Sequence, residues 1–347
     1  MLSKQFNTAL KVFAHYDRLK NSLKNKTSIP VSIEFDITNR CNYACFNCTW
    51  KEYIKESRTH MPKKDIMRII RDCASVGIRA IIFSGGGEPL LHPAVSDAMR
   101  LAKRTGLNIG LFTNGLLLEG EVAKVVAESC DWVRFNLAAV TPEVYKKYHG
   151  VSISRFKHIE NNIVKFNELT RHSGSKTIAG IGSTINYINF NDTSKLADFA
   201  YQAGCKYFQA KHDFTLLKDT VYLAWWKNTA MPIFKELESQ YAPKQFSVDY
   251  TETDYLRKPL AQYCYVHHLA AAINADGDVA YCKRLRDRKA SHLGNARRQS
   301  LKSIFTGDRN RKLCQEIIPQ NCGVICPYLE LNDFIASSIN AVHPNFF

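Results

Sequence analysis

The chain has 347 residues, with 47 Lys and Arg against 32 Asp and Glu, a formal net charge of +15 and 11 cysteines. At roughly 100–200 residues per domain, this length predicts one large domain, alone or with a small one, and excludes a small disulfide-stapled scaffold. Because the cysteine count is odd, full disulfide pairing would leave one thiol over. Metal binding or a reactive thiol is therefore the better interpretation of these cysteines.

Residues 1–30 show an amphipathic helical pattern with a basic polar face. Apolar side chains recur at helical spacing from Phe6 to Leu23, and most charged residues among them are Lys or Arg. We predict a helix packed against the rest of the protein, with binding to a membrane surface or to nucleic acid as the alternative. No segment has the apolar run of a secretion signal or the ~20 residues that span a bilayer, so we expect a cytoplasmic, reduced protein.

Short β-rich runs alternate with helical patterns from residue 31 onward. The six predicted strands are residues 31–37, 79–85, 108–113, 131–138, 176–187 and 206–210. Strand followed by helix, repeated in this way, predicts a parallel sheet that is either open or closed into a complete or partial barrel. In either geometry, catalytic residues collect at the C-terminal ends of the strands. Residues 216–260 have a less regular, aromatic pattern.

Three cysteines follow the first predicted strand. Cys41, Cys45 and Cys48 form a C-x3-C-x2-C array. Three closely spaced thiolates suit three irons of a 4Fe-4S cluster and leave one iron without a protein ligand. Structural zinc is the alternative, but it needs a fourth ligand, and His60 is twelve residues further along the chain.

Further polar and glycine-rich segments lie where the next predicted strands end. They contain Gly85, Gly86, Gly87, Glu88, Thr113, Asn114, Asn136 and Ser183. Together with the three cysteines, these segments resemble the radical S-adenosylmethionine (SAM) superfamily. The resemblance implies an α/β fold, a partial (β/α)6 TIM-like barrel over residues 31–260, in which these residues bind SAM beside a 4Fe-4S cluster. It also implies cleavage of SAM to a 5'-deoxyadenosyl radical that abstracts hydrogen, with flavodoxin or ferredoxin as the electron donor.

A second group of cysteines lies in residues 261–330. Cys264 and Cys282 flank a predicted hairpin with its turn at Asp276-Gly277, and three more follow at Cys314, Cys322 and Cys326. Four thiolates suit an auxiliary 4Fe-4S cluster or, as the alternative, a structural zinc ribbon. The region resembles the twitch and SPASM auxiliary-cluster domains, and five cysteines favour the shorter twitch form.

That second resemblance implies a small C-terminal cysteine-rich domain, followed by a tail over residues 331–347. The implied ligands of the auxiliary cluster are Cys264, Cys282, Cys322 and Cys326. Cys314 is the substitute ligand, and it is also our candidate hydrogen donor to a substrate radical. We expect His267 and His268 at the surface, and Cys73, Cys130 and Cys205 buried in the core.

The substrate is the least determined part of the function. Lys211 and His212 end the sixth predicted strand, and we expect both to face the active site as candidate catalytic residues that orient the substrate. The basic net charge favours an anionic ligand. We predict a small polar metabolite, such as a sugar, aminocyclitol or nucleoside derivative, that undergoes oxidation, epimerisation or elimination. A peptide maturase is the alternative, although such relatives commonly carry a leader-binding module before the first strand. A third interpretation, a basic metalloprotein that binds nucleic acid, lacks a recognisable nucleic-acid motif.

Overall fold

Ten strands form one mixed sheet in the computed structural model, which describes residues 8–253, 255–322 and 325–339. The strands are β1 Ser32–Asp36, β2 Ala80–Ser84, β3 Asn108–Thr113, β4 Trp132–Asn136, β5 Ile178–Ile185, β6 Tyr207–His212, β7 Ser247–Tyr250, β8 Ala270–Ile273, β9 Asp278–Ala280 and β10 His292–Asn295. Their order is β10-β9-β8-β1-β2-β3-β4-β5-β6-β7, and β1 to β7 run parallel to their neighbours. The fold is therefore α/β with a parallel-strand sheet, as predicted.

In addition to short 3-10 and π helices, fourteen α-helices are present in the described residues. They are α1 Thr8–Lys11, α2 Tyr16–Asn25, α3 Lys51–Glu56, α4 Lys63–Ser75, α5 Val95–Arg104, α6 Gly120–Ser129, α7 Pro142–His149, α8 Ile153–His172, α9 Thr193–Gln202, α10 Thr220–Trp225, α11 Met231–Tyr241, α12 Leu301–Thr306, α13 Asp308–Glu316 and α14 Leu329–Ile339. None of them is long and apolar enough to cross a membrane.

The two faces of the sheet differ in polarity because side chains alternate along each strand. One face carries fully buried residues such as Phe35, Phe83 and Phe135, which belong to the same core as apolar side chains of the crossover helices. The opposite face, called here the inner face, carries the alternating polar residues, including Glu34 on β1 and Arg134 on β4. Polar side chains on this face can contact a polar ligand, whereas a wholly apolar face would pack against other apolar side chains and become part of the core.

The six predicted strands are present, each within a few residues of its expected bounds, but the sheet extends further than the sequence indicated. The irregular segment 216–260 contains an additional parallel strand, β7, next to β6. The predicted hairpin turns at Gly277, whose φ of +96° favours glycine, and its strands β8 and β9 are antiparallel. Strand β8 also pairs parallel with β1, so the sheet continues across the predicted domain boundary at residues 260 and 261.

The first and last described helices pack together. Val12 and Leu19 from the N-terminal helices share a buried cluster with Leu331 and Ile335 of α14. Within the described residues, the predicted basic helix is found as short helices over residues 8–25 that pack against the protein, and residues 26–30 are not helical. The predicted tail is helical as far as Ile339, and residues 1–7 and 340–347 lie outside the described residues.

Candidate functional site

Cys41, Cys45 and Cys48 lie on the loop that follows β1, at the C-terminal edge of the parallel strands. Burial, together with the neighbouring Cys41 and Cys48, raises the pKa of the Cys45 thiol to about 12. Burial likewise raises the pKa of Cys41 to about 11. Burial disfavours the thiolate form of all three cysteines, and a bound cation would favour it, so this group fits a metal cluster.

Among the described residues, no three of these or the later cysteines have sulfurs within 4.8 Å of one another. Tetrahedral zinc, with Zn–S bonds of about 2.3 Å, requires sulfurs roughly 3.8 Å apart. No three cysteines of the described residues are therefore arranged at the spacing of a zinc site, which is compatible with the larger sulfur spacing of an iron–sulfur cluster.

His149, which the sequence analysis did not identify, contacts the first cysteine group. Its Nε2 lies 3.1 Å from the amide nitrogen of Ala138, and its Nδ1 lies 3.3 Å from Sγ of Cys45. Burial lowers the pKa of His149 to about 3, so the imidazole is neutral near pH 7. Because Nε2 must accept from a backbone N–H, the single ring proton is on Nδ1 and points at the sulfur.

The glycine-rich loop after β2 packs directly against the cysteine loop. A Cβ on Gly87 would lie 2.1 Å from the carbonyl oxygen of Arg40, and one on Gly86 would lie 2.6 Å from Oδ1 of Asn39. The backbone N–H of Gly87 donates to Thr38 at 3.2 Å. Glycine at positions 86 and 87 thus allows the two loops to pack together. The sequence predicts contact with a ligand at these glycines, whereas the structure shows contact with the cysteine loop.

Glu88 connects the loops after β2 and β3. Its carboxylate accepts hydrogen bonds from Oγ1 of Thr113 at 2.7 Å, from the Asn114 amide at 2.8 Å and from the Leu90 amide at 3.0 Å. Burial raises the pKa of this carboxyl to about 7, although the three donors favour the ionised form. Asn114 in turn donates to Asn42 of the cysteine loop at 2.7 Å. The predicted SAM contacts Glu88 and Thr113 are therefore engaged within the protein and position the loops.

The two predicted SAM contacts on β4 and β5 have different surroundings. Asn136 is exposed at the end of β4 on the inner face, opposite Gly182. Ser183 follows Gly182 and therefore points to the other face, where it is 1% exposed and its hydroxyl has no hydrogen-bond partner in the described residues. The structure brings Asn136 to the site but directs Ser183 away from it, which corrects that expectation.

Lys211 and His212 also separate, because consecutive strand residues point to opposite faces. Lys211 is on the inner face, and its pKa is lowered well below the usual value by burial and by the nearby charges of Arg134 and Lys283. His212 is buried on the helix side, with its ring centroid 3.8 Å from that of Trp226. The expectation that His212 faces the active site is wrong, and only Lys211 of this pair can reach a ligand there.

An ion-pair cluster links β1 to the loop after Cys282. Arg286 donates to Asp36 at 2.5 Å and to Glu34 at 2.6 Å, and Lys283 donates to Glu34 at 2.9 Å. Burial alone would raise the pKa of Glu34, but the two cations lower it to about 2. The cluster fixes the auxiliary region on the inner face of the sheet.

A cavity of about 350 Å³ lies beside this cluster. Its lining contains all four predicted auxiliary ligands, Cys264, Cys282, Cys322 and Cys326. Glu34 and Lys283 also border it, so it opens toward the inner face. The structure therefore brings the four predicted auxiliary cysteines together around one space large enough for a cluster.

Cys314 lies outside the cavity lining. It is 4% exposed on α13, with Sγ 3.2 Å from Nε2 of His267. This location gives Cys314 no direct path to the inner face and argues against both its predicted role as hydrogen donor and its role as substitute ligand. His267 and His268 are 4% and 1% exposed, so the expectation that they lie at the surface is wrong.

Several site residues had no strong signal in the sequence. His149 and Arg286 act through contacts between residues 104 and 250 positions apart, which no local pattern reveals. Arg134 did carry a signal, because a charged residue inside an apolar strand implies that one face of the strand is polar. Its guanidinium lies 3.8 Å from the ring centroid of Phe112 and donates to Gln209 at 3.0 Å.

Comparison with protein families gives two matches. The radical SAM superfamily matches residues 35–197, and the iron–sulfur cluster-binding domain called SPASM matches residues 264–327. Over 298 residues, covering 79% of this chain and 80% of the relative, the sequence is 27% identical to a tungsten-containing aldehyde ferredoxin oxidoreductase cofactor-modifying protein of Pyrococcus furiosus. A probable GTP 3',8-cyclase of Methanocaldococcus jannaschii is 32% identical over 133 residues, which cover 38% of this chain and only 43% of the cyclase.

Solved structures share the fold over most of the chain. Streptococcus suis SuiB bound to its precursor peptide SuiA is similar over 90% of this chain and 73% of SuiB, with a TM-score of 0.66 and 14% identity. The protein anSMEcpe with bound AdoMet and the Cp18Cys peptide is similar over 88% of both chains, with a TM-score of 0.62 and 17% identity. At these identities the likeness concerns the fold.

Proposed function

The chain belongs to the radical SAM superfamily and carries a SPASM iron–sulfur cluster-binding domain, and from this premise we propose that it modifies a peptide or protein side chain. Enzymes of this superfamily contain a 4Fe-4S cluster and SAM, which together supply a 5'-deoxyadenosyl radical. We propose Cys41, Cys45 and Cys48 as ligands of that cluster. We propose Cys264, Cys282, Cys322 and Cys326 as ligands of the auxiliary cluster.

The chain's own residues position these groups and the substrate. Gly86, Gly87 and Glu88 hold the loop after β2 against the cysteine loop, and Asn114 ties the loop after β3 to the Asn42 side chain of that same loop. Asn136 is available to a ligand at the end of β4. A substrate on the inner face would lie between the two cysteine groups, where the surrounding sheet and loops limit access of water. We propose flavodoxin or ferredoxin as the electron donor and a reducing cytoplasm as the location.

The observation that carries the substrate class is the likeness to SuiB and anSMEcpe, which extends through both the sheet and the auxiliary region. SuiB was solved with the peptide SuiA and anSMEcpe with the peptide Cp18Cys, and both share the fold over 88% or more of this chain. This supports a peptide substrate over the small metabolite that the sequence analysis favoured.

A small anionic metabolite is the second candidate, because the Arg134 guanidinium on the inner face is a cation without an acidic partner in the described residues. Within the described residues, neither Arg134 nor Lys211 forms an ion pair, and Nε of Arg134 is buried without a hydrogen bond. The nearby Glu34 is already paired with Lys283 and Arg286. A carboxylate or phosphate group on the substrate would balance this charge.

The test uses the anaerobically reconstituted protein with SAM, a reductant and extracts of cells grown in deuterated medium. Size exclusion separates each extract into a fraction of peptides and small proteins and a fraction of small metabolites. We expect 5'-deoxyadenosine to acquire deuterium with the peptide fraction, because the radical abstracts hydrogen from its own substrate. Deuterium transfer only from the metabolite fraction would establish the second candidate instead.

Cys41→Ala should abolish release of 5'-deoxyadenosine because it removes a ligand of the first cluster. Cys205→Ala, at a buried cysteine outside both groups, is the matched control and should retain it. If the wild-type protein releases no 5'-deoxyadenosine, or if Cys41→Ala releases as much as the control, radical SAM chemistry is excluded.

A further inference from the structure

Three side chains that can ligate a metal meet at the edge of the auxiliary cavity, whose lining includes His267 but neither His268 nor Cys314. His267, His268 and Cys314 are all buried, and one ligand atom from each lies within 4.8 Å of the other two. Among the described residues, this is the only group of His, Cys, Asp or Glu with that spacing. The spacing suits a single ion, in contrast to the more widely spaced cysteine groups.

The hydrogen bonds of His267 orient it as a metal ligand. Its Nδ1 contacts the backbone carbonyl of Cys264, and since a carbonyl can only accept, the ring proton is on Nδ1. Its Nε2 therefore presents a lone pair, 3.2 Å from Sγ of Cys314. Metal-bound histidines commonly donate their second N–H to a carbonyl or carboxylate in this way, which fixes the ring and its tautomer.

His268 and Tyr263 complete the surroundings. The Tyr263 hydroxyl donates to the carbonyl of Cys314 and therefore accepts from Nε2 of His268, at 2.8 Å. The Nδ1 of His268 is then an acceptor that is buried without a partner in the described residues. A buried acceptor without a donor is costly, and Nδ1 is the nitrogen of His268 that this tautomer leaves available to a cation. The same hydroxyl lies 3.5 Å from Nε2 of His267, so it also borders the group.

We propose that His267, His268 and Cys314 bind a zinc ion, separate from both iron–sulfur clusters. Two imidazoles and one thiolate are ligands that zinc favours, and a water molecule would take the fourth tetrahedral position. The 3.2 Å between nitrogen and sulfur is compatible with Zn–N bonds of about 2.0 Å and Zn–S bonds of about 2.3 Å. Binding would release the Cys314 thiol proton to solvent, leaving the thiolate on zinc.

The ion would connect two elements of the auxiliary region. Cys314 lies on α13, whereas the two histidines lie in the turn that leads into β8. The carbonyl that orients His267 belongs to Cys264, a proposed ligand of the auxiliary cluster. Zinc at this position would hold α13 against the segment that carries Cys264.

The first experiment measures zinc and iron by mass spectrometry in anaerobically reconstituted protein that has been dialysed against a weak chelator. We expect about one zinc per chain in addition to the cluster iron. Cys314→Ser should remove the zinc and leave the iron unchanged, while Cys205→Ser, at another buried cysteine, should retain both. Zinc absent from the wild type, or retained in Cys314→Ser, would overturn the proposal.

A variant of a cysteine in the auxiliary cavity tests whether the zinc is bound by the auxiliary cysteines instead. In Cys282→Ala, zinc should be retained while the iron of one cluster is lost, and loss of the zinc in this variant would assign it to the cavity and overturn the proposal. If Cys314→Ser does not fold, cobalt(II) substitution in the wild-type protein still tests the site. Cobalt(II), added to protein with both clusters loaded and zinc removed, should give the visible absorption of tetrahedral cobalt with a thiolate ligand. Absence of that absorption contradicts the site, and neither measurement depends on SAM cleavage.

Discussion

His149 joins the first cysteine group to the end of β4 through a single imidazole. One ring nitrogen accepts from Ala138 and the other donates to Cys45, so the direction of both hydrogen bonds is fixed by the backbone. A donor to a cluster thiolate stabilises the reduced, more negative state, and hydrogen bonds to sulfur are among the factors that set cluster potentials. We infer that His149 tunes the first cluster.

His149→Ala should therefore make the reduction potential of the first cluster more negative, without loss of its iron. An anaerobic redox titration followed by electron paramagnetic resonance, using the signal that responds to SAM, measures this shift. His158→Ala, at a half-exposed histidine on α8, is the control and should leave the potential unchanged. Equal potentials in the wild type and His149→Ala would show that the contact has no electronic role.

Among the structural elements, the contact between β1 and the loop after Cys282 holds the auxiliary region in place. Arg286 is 1% exposed and pairs with two carboxylates of β1, and its backbone carbonyl accepts from Asn274 and His292. The strand pairing of β1 with β8 lies beside it. The two regions matched to different families therefore share one continuous sheet and one buried ion-pair cluster.

Arg286→Ala should lower the free energy of unfolding by roughly 3–5 kcal/mol, because it leaves Glu34 and Asp36 buried without their main partner. Urea unfolding followed by circular dichroism measures the loss. The exposed Arg298 provides the matched control, since Arg298→Ala should change the stability by less than about 0.5 kcal/mol. A similar, small effect of both substitutions would mean that the attraction within the ion pairs only offsets the free-energy cost of burying their charges.

For the whole molecule, buried neutral histidines predict sensitivity to acid. Burial lowers the pKa of His212 to about 4, whereas an unfolded histidine titrates near 6.5. The unfolded state therefore binds a proton that the folded state does not, and stability falls as the pH drops below the unfolded value. From about pH 7.5 to about pH 5.5, this group alone costs about 1.4 kcal/mol.

His212→Phe should reduce the loss of stability on acidification by about that amount, because phenylalanine keeps the packing on Trp226 and removes the titration. Urea unfolding at the two pH values measures the difference. His172→Phe, at an exposed position at the end of α8, should retain the wild-type pH dependence. An unchanged dependence in His212→Phe would mean that this imidazole has the same pKa in the folded and unfolded states.

The sequence by itself determined the elements and motifs that depend on near neighbours. Six parallel strands, the hairpin at Gly277, the C-x3-C-x2-C loop and the glycine-rich loop are all read from spacing within about ten residues, because side-chain periodicity and turn chemistry are local. The auxiliary cysteines span residues 264–326, and their grouping came from the resemblance to twitch and SPASM domains.

Only the tertiary structure decided which residues face one another. A shift of one position separates Lys211 from His212 and Gly182 from Ser183, since each strand alternates its faces. The partners of His149, Arg286 and Cys314 come from distant parts of the chain, and long-range pairing leaves no periodic trace in the sequence. The strand β7 and the pairing of β8 with β1 were likewise set by the sheet, because a short strand becomes stable only beside a neighbour.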